Sequence, residues 1–125
     1  MAHAIGRVTI VGLGLIGSSV ARAIKAKLPD VAVTGHDADP DVRAEAQALG
    51  FCDAVSDDAA EAVEGADLVI LAVPVGRMAA AAAAIAPGLS AHAIISVVGS
   101  SKAGVGAALR AALPGHVVVP AHPAA

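Results

Sequence analysis

Three glycines in the run Val11-Gly12-Leu13-Gly14-Leu15-Ile16-Gly17 stand at the GxGxxG spacing of a turn that binds a nucleotide pyrophosphate. Each glycine has its own reason. Gly12 lets the chain turn tightly off a strand, Gly14 lets backbone come close to the phosphates, and Gly17 lets the following helix pack against that strand. The first-turn N–H groups, at Leu15 and Ile16, and the positive end of the helix dipole then face the anion. The pattern also asks for a carboxylate about 20 residues on, and Asp37 closes the segment Val31-Ala32-Val33-Thr34-Gly35-His36. A carboxylate there accepts hydrogen bonds from the adenosine ribose hydroxyls. With Asp39 nearby its charge repels a 2′-phosphate, so NAD is expected rather than NADP.

Ser100, Lys102 and His122 are the candidates farther along the chain. His122 lies between Pro120 and Pro123, where stiff backbone limits the directions open to the imidazole. Histidine suits proton transfer near neutral pH, although a lone histidine in a loop is usually inert. Lys102 falls in the first turn of an expected helix, where a cation opposes the dipole and so faces an anion or solvent. Ser100 either caps that helix or points its hydroxyl toward a ligand. His3, His36, His92 and His116 show neither metal-ligand spacing nor a partnered nucleophile; they are read as surface or packing residues, and no metal is expected. Cys52 is read as a small buried apolar residue rather than a reactive thiol.

Positioning these groups falls to an alternation of strand and helix. Arg7 to Val11 is the first strand. A helix from Leu15 to Leu28 follows, in which Ile16, Val20 and Ile24 recur every four residues until Pro29-Asp30 ends it. Val31 to His36 is the second strand; Asp39 caps the next helix, with Pro40 at its first position and Gly50 just past its end. Asp53 to Val55 is a short third strand, and Ser56 caps a brief helix reaching Glu64. Asp67 to Val73 is the fourth strand, stopped by Pro74. A helix from Gly76 to Ala86, a strand from Ala93 to Val98, a helix from Ser101 to Ala112 and a strand from His116 to Val119 complete the series. Strict alternation implies a parallel α/β sheet of Rossmann type, doubly wound, with about six strands in the order 3-2-1-4-5-6. Ligands of such sheets lie at the carboxyl ends of the strands. Gly12, Asp37, Val73, Pro74, Ser100, Lys102 and His122 all fall there and should converge on one edge.

At 125 residues the chain is read as one dinucleotide-binding domain, 1–125. A net charge of -3 with scattered basic residues excludes a nucleic-acid or anionic-membrane surface. The single cysteine permits no internal disulfide and suits a reducing compartment, so a cytoplasmic location is expected. Met78 to Ser101 carries no Asp, Glu, Lys or Arg. Pro87-Gly88 interrupts this stretch, however, and a buried parallel strand at Ala93 to Val98 accounts for its apolar second half without a membrane span.

Taken together, the segments VTIVGLGLIGSSVARAIK, GHDADP with ALGFCDAVSDD, ADLVILAVPVG, VGSSK and HPAA resemble the prephenate and arogenate dehydrogenases of tyrosine biosynthesis. The first three are shared with 3-hydroxyacid and 6-phosphogluconate dehydrogenases, and the GSxK and HP motifs are more specific. The resemblance implies NAD-linked oxidative decarboxylation of prephenate to 4-hydroxyphenylpyruvate, or of arogenate to tyrosine. It implies that His122 takes the proton of the ring hydroxyl as hydride leaves the same carbon, that Ser100 lies beside that hydroxyl, and that Lys102 is near the substrate. It also implies a following helical domain that dimerises and supplies basic residues for the substrate carboxylates. This chain is therefore expected to be the cofactor domain of a homodimer, binding NAD weakly and not turning over substrate alone. Two positions depart from the family pattern. Val97 stands where an aspartate is usual, and Pro120-Ala121 stands where two glycines are usual. Two other readings remain at this point: a related hydroxyacid dehydrogenase, or an NAD-sensing module without chemistry.

Overall fold

A computed structural model describes residues 5–98 and 109–121. Six strands form one sheet: β1 (Arg7–Val11), β2 (Ala32–His36), β3 (Ala54–Ser56), β4 (Leu68–Leu71), β5 (Ile94–Val98) and β6 (Val117–Ala121). Every pairing is parallel and the order is β3-β2-β1-β4-β5-β6, the doubly wound order expected from the alternation. The chain starts in the middle of the sheet, works outward to β3, then crosses back past β1 to build the other half.

Helices cover both faces because the strands are apolar on both. Val8, Ile10, Val33 and Ile70 pack with Ala21 of α1 (Leu15–Lys27), Ala46 of α2 (Pro40–Leu49) and Phe51. Val11, Val69, Leu71, Ile95, Val97 and Val118 pack on the opposite face. Their partners are Val63 just after α3 (Ala59–Ala62), Met78, Ala82 and Ile85 of α4 (Met78–Ile85), and Leu109. The buried Thr9 hydroxyl donates to the Ala62 carbonyl at 2.6 Å, which satisfies that hydroxyl beneath α3.

Local chemistry explains where the elements begin and end. The Asp39 carboxylate accepts from the Asp41 N–H, Pro40 opens α2, and Gly50 closes it at φ 71°, all as expected. The brief third helix differs from expectation, since it is capped by Asp58, which accepts from the Ala60 and Glu61 N–H groups; the Ser56 hydroxyl serves the turn before it. The expected helix from Gly76 to Ala86 divides into a 3₁₀ turn at Val75–Arg77, α4 proper, and a second 3₁₀ turn at Ala86–Gly88. Pro87 has no N–H to continue the helical ladder, so α4 stops before it. The expected helix from Ser101 lies largely outside the described residues, and residues 109–112 are helical.

Val97 is buried in the core beneath α4, where a carboxylate would stand without a described partner. Pro120 lies in β6, whose described neighbour is β5 alone; proline is tolerated there because one side of an edge strand makes no ladder bonds. Cys52 is half-buried on the other core, where burial first and the Asp53 charge second push its thiol up to about 11, so it stays protonated. At the amino edge of the sheet, Asp67 accepts from the Gly6 N–H at 2.8 Å and the Arg7 N–H at 3.0 Å, and meets His92 Nε2 at 2.9 Å. Those three contacts, the backbone ones foremost, lower its carboxyl to about 2. Asp53 is likewise held below the usual carboxylate range, by the Val33 N–H and then by Lys25 at 2.9 Å.

Candidate functional site

A cleft of about 390 Å³ opens at the carboxyl edge of the sheet, between the ends of β1, β2 and β4. Val11, Gly12 and Gly14 border it at the turn after β1, His36 and Asp37 at the end of β2, and Val73 and Pro74 after β4. Five of the residues singled out by sequence therefore share one concavity: Gly12, Gly14, Asp37, Val73 and Pro74.

The glycine turn is held from three sides. Gly12 has φ 102°, a conformation that favours glycine, and a Cβ on it would come within 2.6 Å of the Ala72 carbonyl oxygen. Its N–H donates to the His36 carbonyl at 2.8 Å, and the Ala72 N–H donates to Val11 at 2.8 Å, so β2 and β4 both clasp the turn. A Cβ on Gly17 would overlap the Gly12 carbonyl, which explains the third glycine as helix-to-turn packing. Gly14 is different, because a Cβ there would meet nothing within 4 Å. It faces open space beside the cleft and begins α1 without a side-chain cap, leaving first-turn N–H groups unclaimed by any side chain. Leu15 and Ile16 do not line the cleft itself, and their exposed side chains carry no hydrogen-bond donor, so only their backbone N–H groups could serve an anion there.

Asp37 does more than the spacing suggests. Its Oδ2 accepts from the Leu13 N–H at 2.8 Å and its Oδ1 accepts from the Asp39 N–H at 2.9 Å. One carboxylate therefore fixes the glycine turn relative to β2. Each of its oxygens has a further lone pair, so a ribose diol can still be accepted.

Several cleft features went unnoticed in the sequence. Ala38, Ala59, Ala80, Ala81 and Ala84 give the cleft an apolar shelf suited to a flat ring. Arg77 lines the same cleft, makes no ion pair among the described residues, and sits at the start of α4, where its charge opposes the helix dipole. His36, read as a packing residue, is buried and also lines the cleft. Nearby, Arg43 of α2 donates from Nη1 to the Asp37 carbonyl at 2.8 Å, which holds its guanidinium on backbone.

Ser100, Lys102 and His122 lie outside the described residues. The strands that lead to them are described: β5 and β6 pair with Val98 opposite Ala121. Of the other histidines, His116 Nε2 meets the Ser90 carbonyl at 3.0 Å and His92 meets Asp67, while His3 is outside the described residues. Among the described residues, no group of three or more His, Cys, Asp or Glu is placed to hold a metal ion, and no helix is long and apolar enough to cross a membrane.

Residues 20–125 match the family described as prephenate dehydrogenase, nucleotide-binding domain. A cyclohexadienyl dehydrogenase of Zymomonas mobilis is 51% identical over 118 residues, covering 94% of this chain and 40% of that protein. The chain thus spans well under half the length of that relative. Among solved structures, a prephenate dehydrogenase from A. aeolicus, in complex with hydroxyphenyl propionate and NAD+, superposes with a TM-score of 0.85 at 26% identity. That match covers 98% of this chain and 43% of the other. A Synechocystis arogenate dehydrogenase shares the fold, with a TM-score of 0.79 at 22% identity over 90% of this chain and 39% of its own. A glycine turn clasped by an acidic residue from β2, on a sheet of this order and with this sequence match, has one family explanation: the chain belongs to the prephenate dehydrogenases, within their nucleotide-binding domain.

Proposed function

We propose that this chain is the NAD-binding domain of an enzyme that oxidatively decarboxylates prephenate to 4-hydroxyphenylpyruvate, or arogenate to tyrosine. The observation that carries the cofactor half is the cleft. Its turn admits no side chain at Gly12 or Gly17, its Gly14 is open, its helix α1 is uncapped, and Asp37 stands where ribose hydroxyls would be accepted. These residues fit a dinucleotide: Gly12 and Gly14 with the N–H groups of Leu15 and Ile16 at the pyrophosphate, Asp37 at the ribose, and Val73 and Pro74 along the opposite wall. Bound NAD would supply the hydride acceptor.

The chemistry is assigned to residues after β5 and β6. His122 takes the proton of the substrate ring hydroxyl while hydride leaves the same carbon; carbon dioxide departs, the ring becomes aromatic, and the proton returns to the phenolic oxygen. Ser100 orients that hydroxyl, and Lys102 faces a substrate anion. Support for bringing these residues together comes from the register, since Val98 and Ala121, which lie just before the two motifs, are partners. A second, helical domain is assigned the dimer contact and the basic groups for the substrate carboxylates, and the protein is assigned to the cytoplasm.

Titration of NAD and NADP into the chain tests the cofactor assignment: NAD is expected to bind more tightly, and a preference for NADP would overturn the role of Asp37. For the reaction, NADH formation with prephenate and with arogenate is followed in the protein carrying the helical domain. His122→Asn is expected to lower kcat by about 10²-fold or more, and near-normal turnover would remove His122 from the mechanism.

A further inference from the structure

His36 closes β2 with only 8% of its surface exposed, and its two ring nitrogens have different fates. Nδ1 lies 2.9 Å from the Ser56 carbonyl oxygen. A carbonyl only accepts, so Nδ1 carries the hydrogen, and Nε2 of the neutral ring is left as a bare acceptor. Nε2 makes no hydrogen bond among the described residues. Nor is it sealed in, since the buried side-chain nitrogen left without a partner is Nδ1 of His116. His36 lines the cleft, and its ring is held in place by the backbone bond at Nδ1.

The surroundings say what that acceptor meets. Ala38, Ala59 and Ala84 line the cleft beside His36 and offer methyl side chains to a flat ring, while Arg43, Asp57 and Asp58 share an adjoining concavity with His36 and the same three alanines. Asp37 is next in sequence but is engaged with Leu13 and Asp39 and is assigned to the ribose. Arg77, the cation on the cleft wall, donates and cannot accept. Beside the alanine shelf, then, the ring of His36 carries an acceptor whose complement on a ligand is an N–H donor.

We propose that His36 Nε2 accepts a hydrogen bond from the exocyclic amine of the cofactor's adenine, making the site selective for a 6-aminopurine over a 6-oxopurine. The inference rests on the reading of the cleft as an NAD site. A 6-oxopurine would turn an oxygen acceptor toward Nε2, and a site built to pair a donor rejects an analogue that lacks it.

Calorimetric titration of NAD and of nicotinamide hypoxanthine dinucleotide tests this in the unaltered protein and in His36→Asn. The asparagine amide reaches only as far as Nδ1, so it retains the Ser56 bond and lacks the cleft acceptor. The unaltered protein is expected to prefer NAD by about tenfold, and His36→Asn to bind both dinucleotides alike with its Tm unchanged. In His36→Gln, whose amide both donates and accepts, the ratio is also expected to fall toward one. Equal binding of the two dinucleotides by the unaltered protein would overturn the proposal without any variant, and so would an undiminished preference in His36→Asn. If NAD fails to bind the unaltered protein at all, the cofactor reading falls and this one with it. Binding of NAD without purine preference removes this one alone.

Discussion

Asp37 illustrates how one side chain joins local structure to ligand choice. Its carboxylate holds the Leu13 N–H and its own turn, so Asp37→Asn is expected both to loosen the glycine turn and to remove a charge that repels a 2′-phosphate. NAD affinity should fall about 10-fold or more and the NAD-to-NADP ratio should narrow, both read by titration. Arg77→Ala separates binding from stability in the opposite sense. The arginine stands against the dipole of α4 without an ion pair among the described residues, so the variant should keep or slightly raise Tm while binding NAD several-fold less tightly. Legibility at this scale was uneven for a physical reason. The position of Asp37 follows from spacing along the chain, but its bond to Leu13 and the place of His36 on the cleft wall depend on strands that meet only in the fold. Arg77 was within reach, because the dipole argument applied to Lys102 applies equally to a cation at the start of the helix after Pro74.

Elements are where glycine positions can be told apart. Gly17→Ala would press a methyl group onto the Gly12 carbonyl and is expected to cost about 1 to 3 kcal/mol or more, lowering Tm and abolishing NAD binding together. Gly14→Ala meets no such obstacle, so the fold should survive with unchanged or higher Tm while NAD affinity drops. A Gly14→Ala variant that bound NAD normally would show that the backbone at Gly14 does not approach the ligand. The same contrast marks which boundaries were readable. Those of α2 were, since Asp39, Pro40 and Gly50 each act on their own neighbours. The start of α3 was not: Ser56, Asp57 and Asp58 are all competent caps, and Ser56 is claimed by β3, which leaves the cap to Asp58. The helix after Pro74 was readable only at its end, where Pro87 stops α4; nothing local marks the 3₁₀ turn at Val75–Arg77 before it.

For the whole molecule, strand order was legible because alternating strand and helix leaves few right-handed arrangements of a parallel sheet. The latch at the opposite edge was not, as nothing local ties Asp67 to Gly6, Arg7 and His92. Its folded carboxyl titrates near 2, below the usual 3.8, so the stability it contributes is present above about pH 4 and is lost as pH falls toward 2. Asp67→Asn should therefore lower Tm at neutral pH by a few degrees and flatten the acid limb of the stability profile, as followed by circular dichroism. The cleft itself has a layout with a genetic consequence. Its described lining runs from Val11 to Ala84, whereas the residues assigned to the reaction all follow Val98. On that assignment, the described cofactor cleft and the residues proposed for the reaction fall in successive stretches of one gene. A single crossover in the segment between Ile85 and Ala93 would join the nucleotide preference of one parent to the chemistry of another, provided Leu71 and Val97, partners across that seam, still pack.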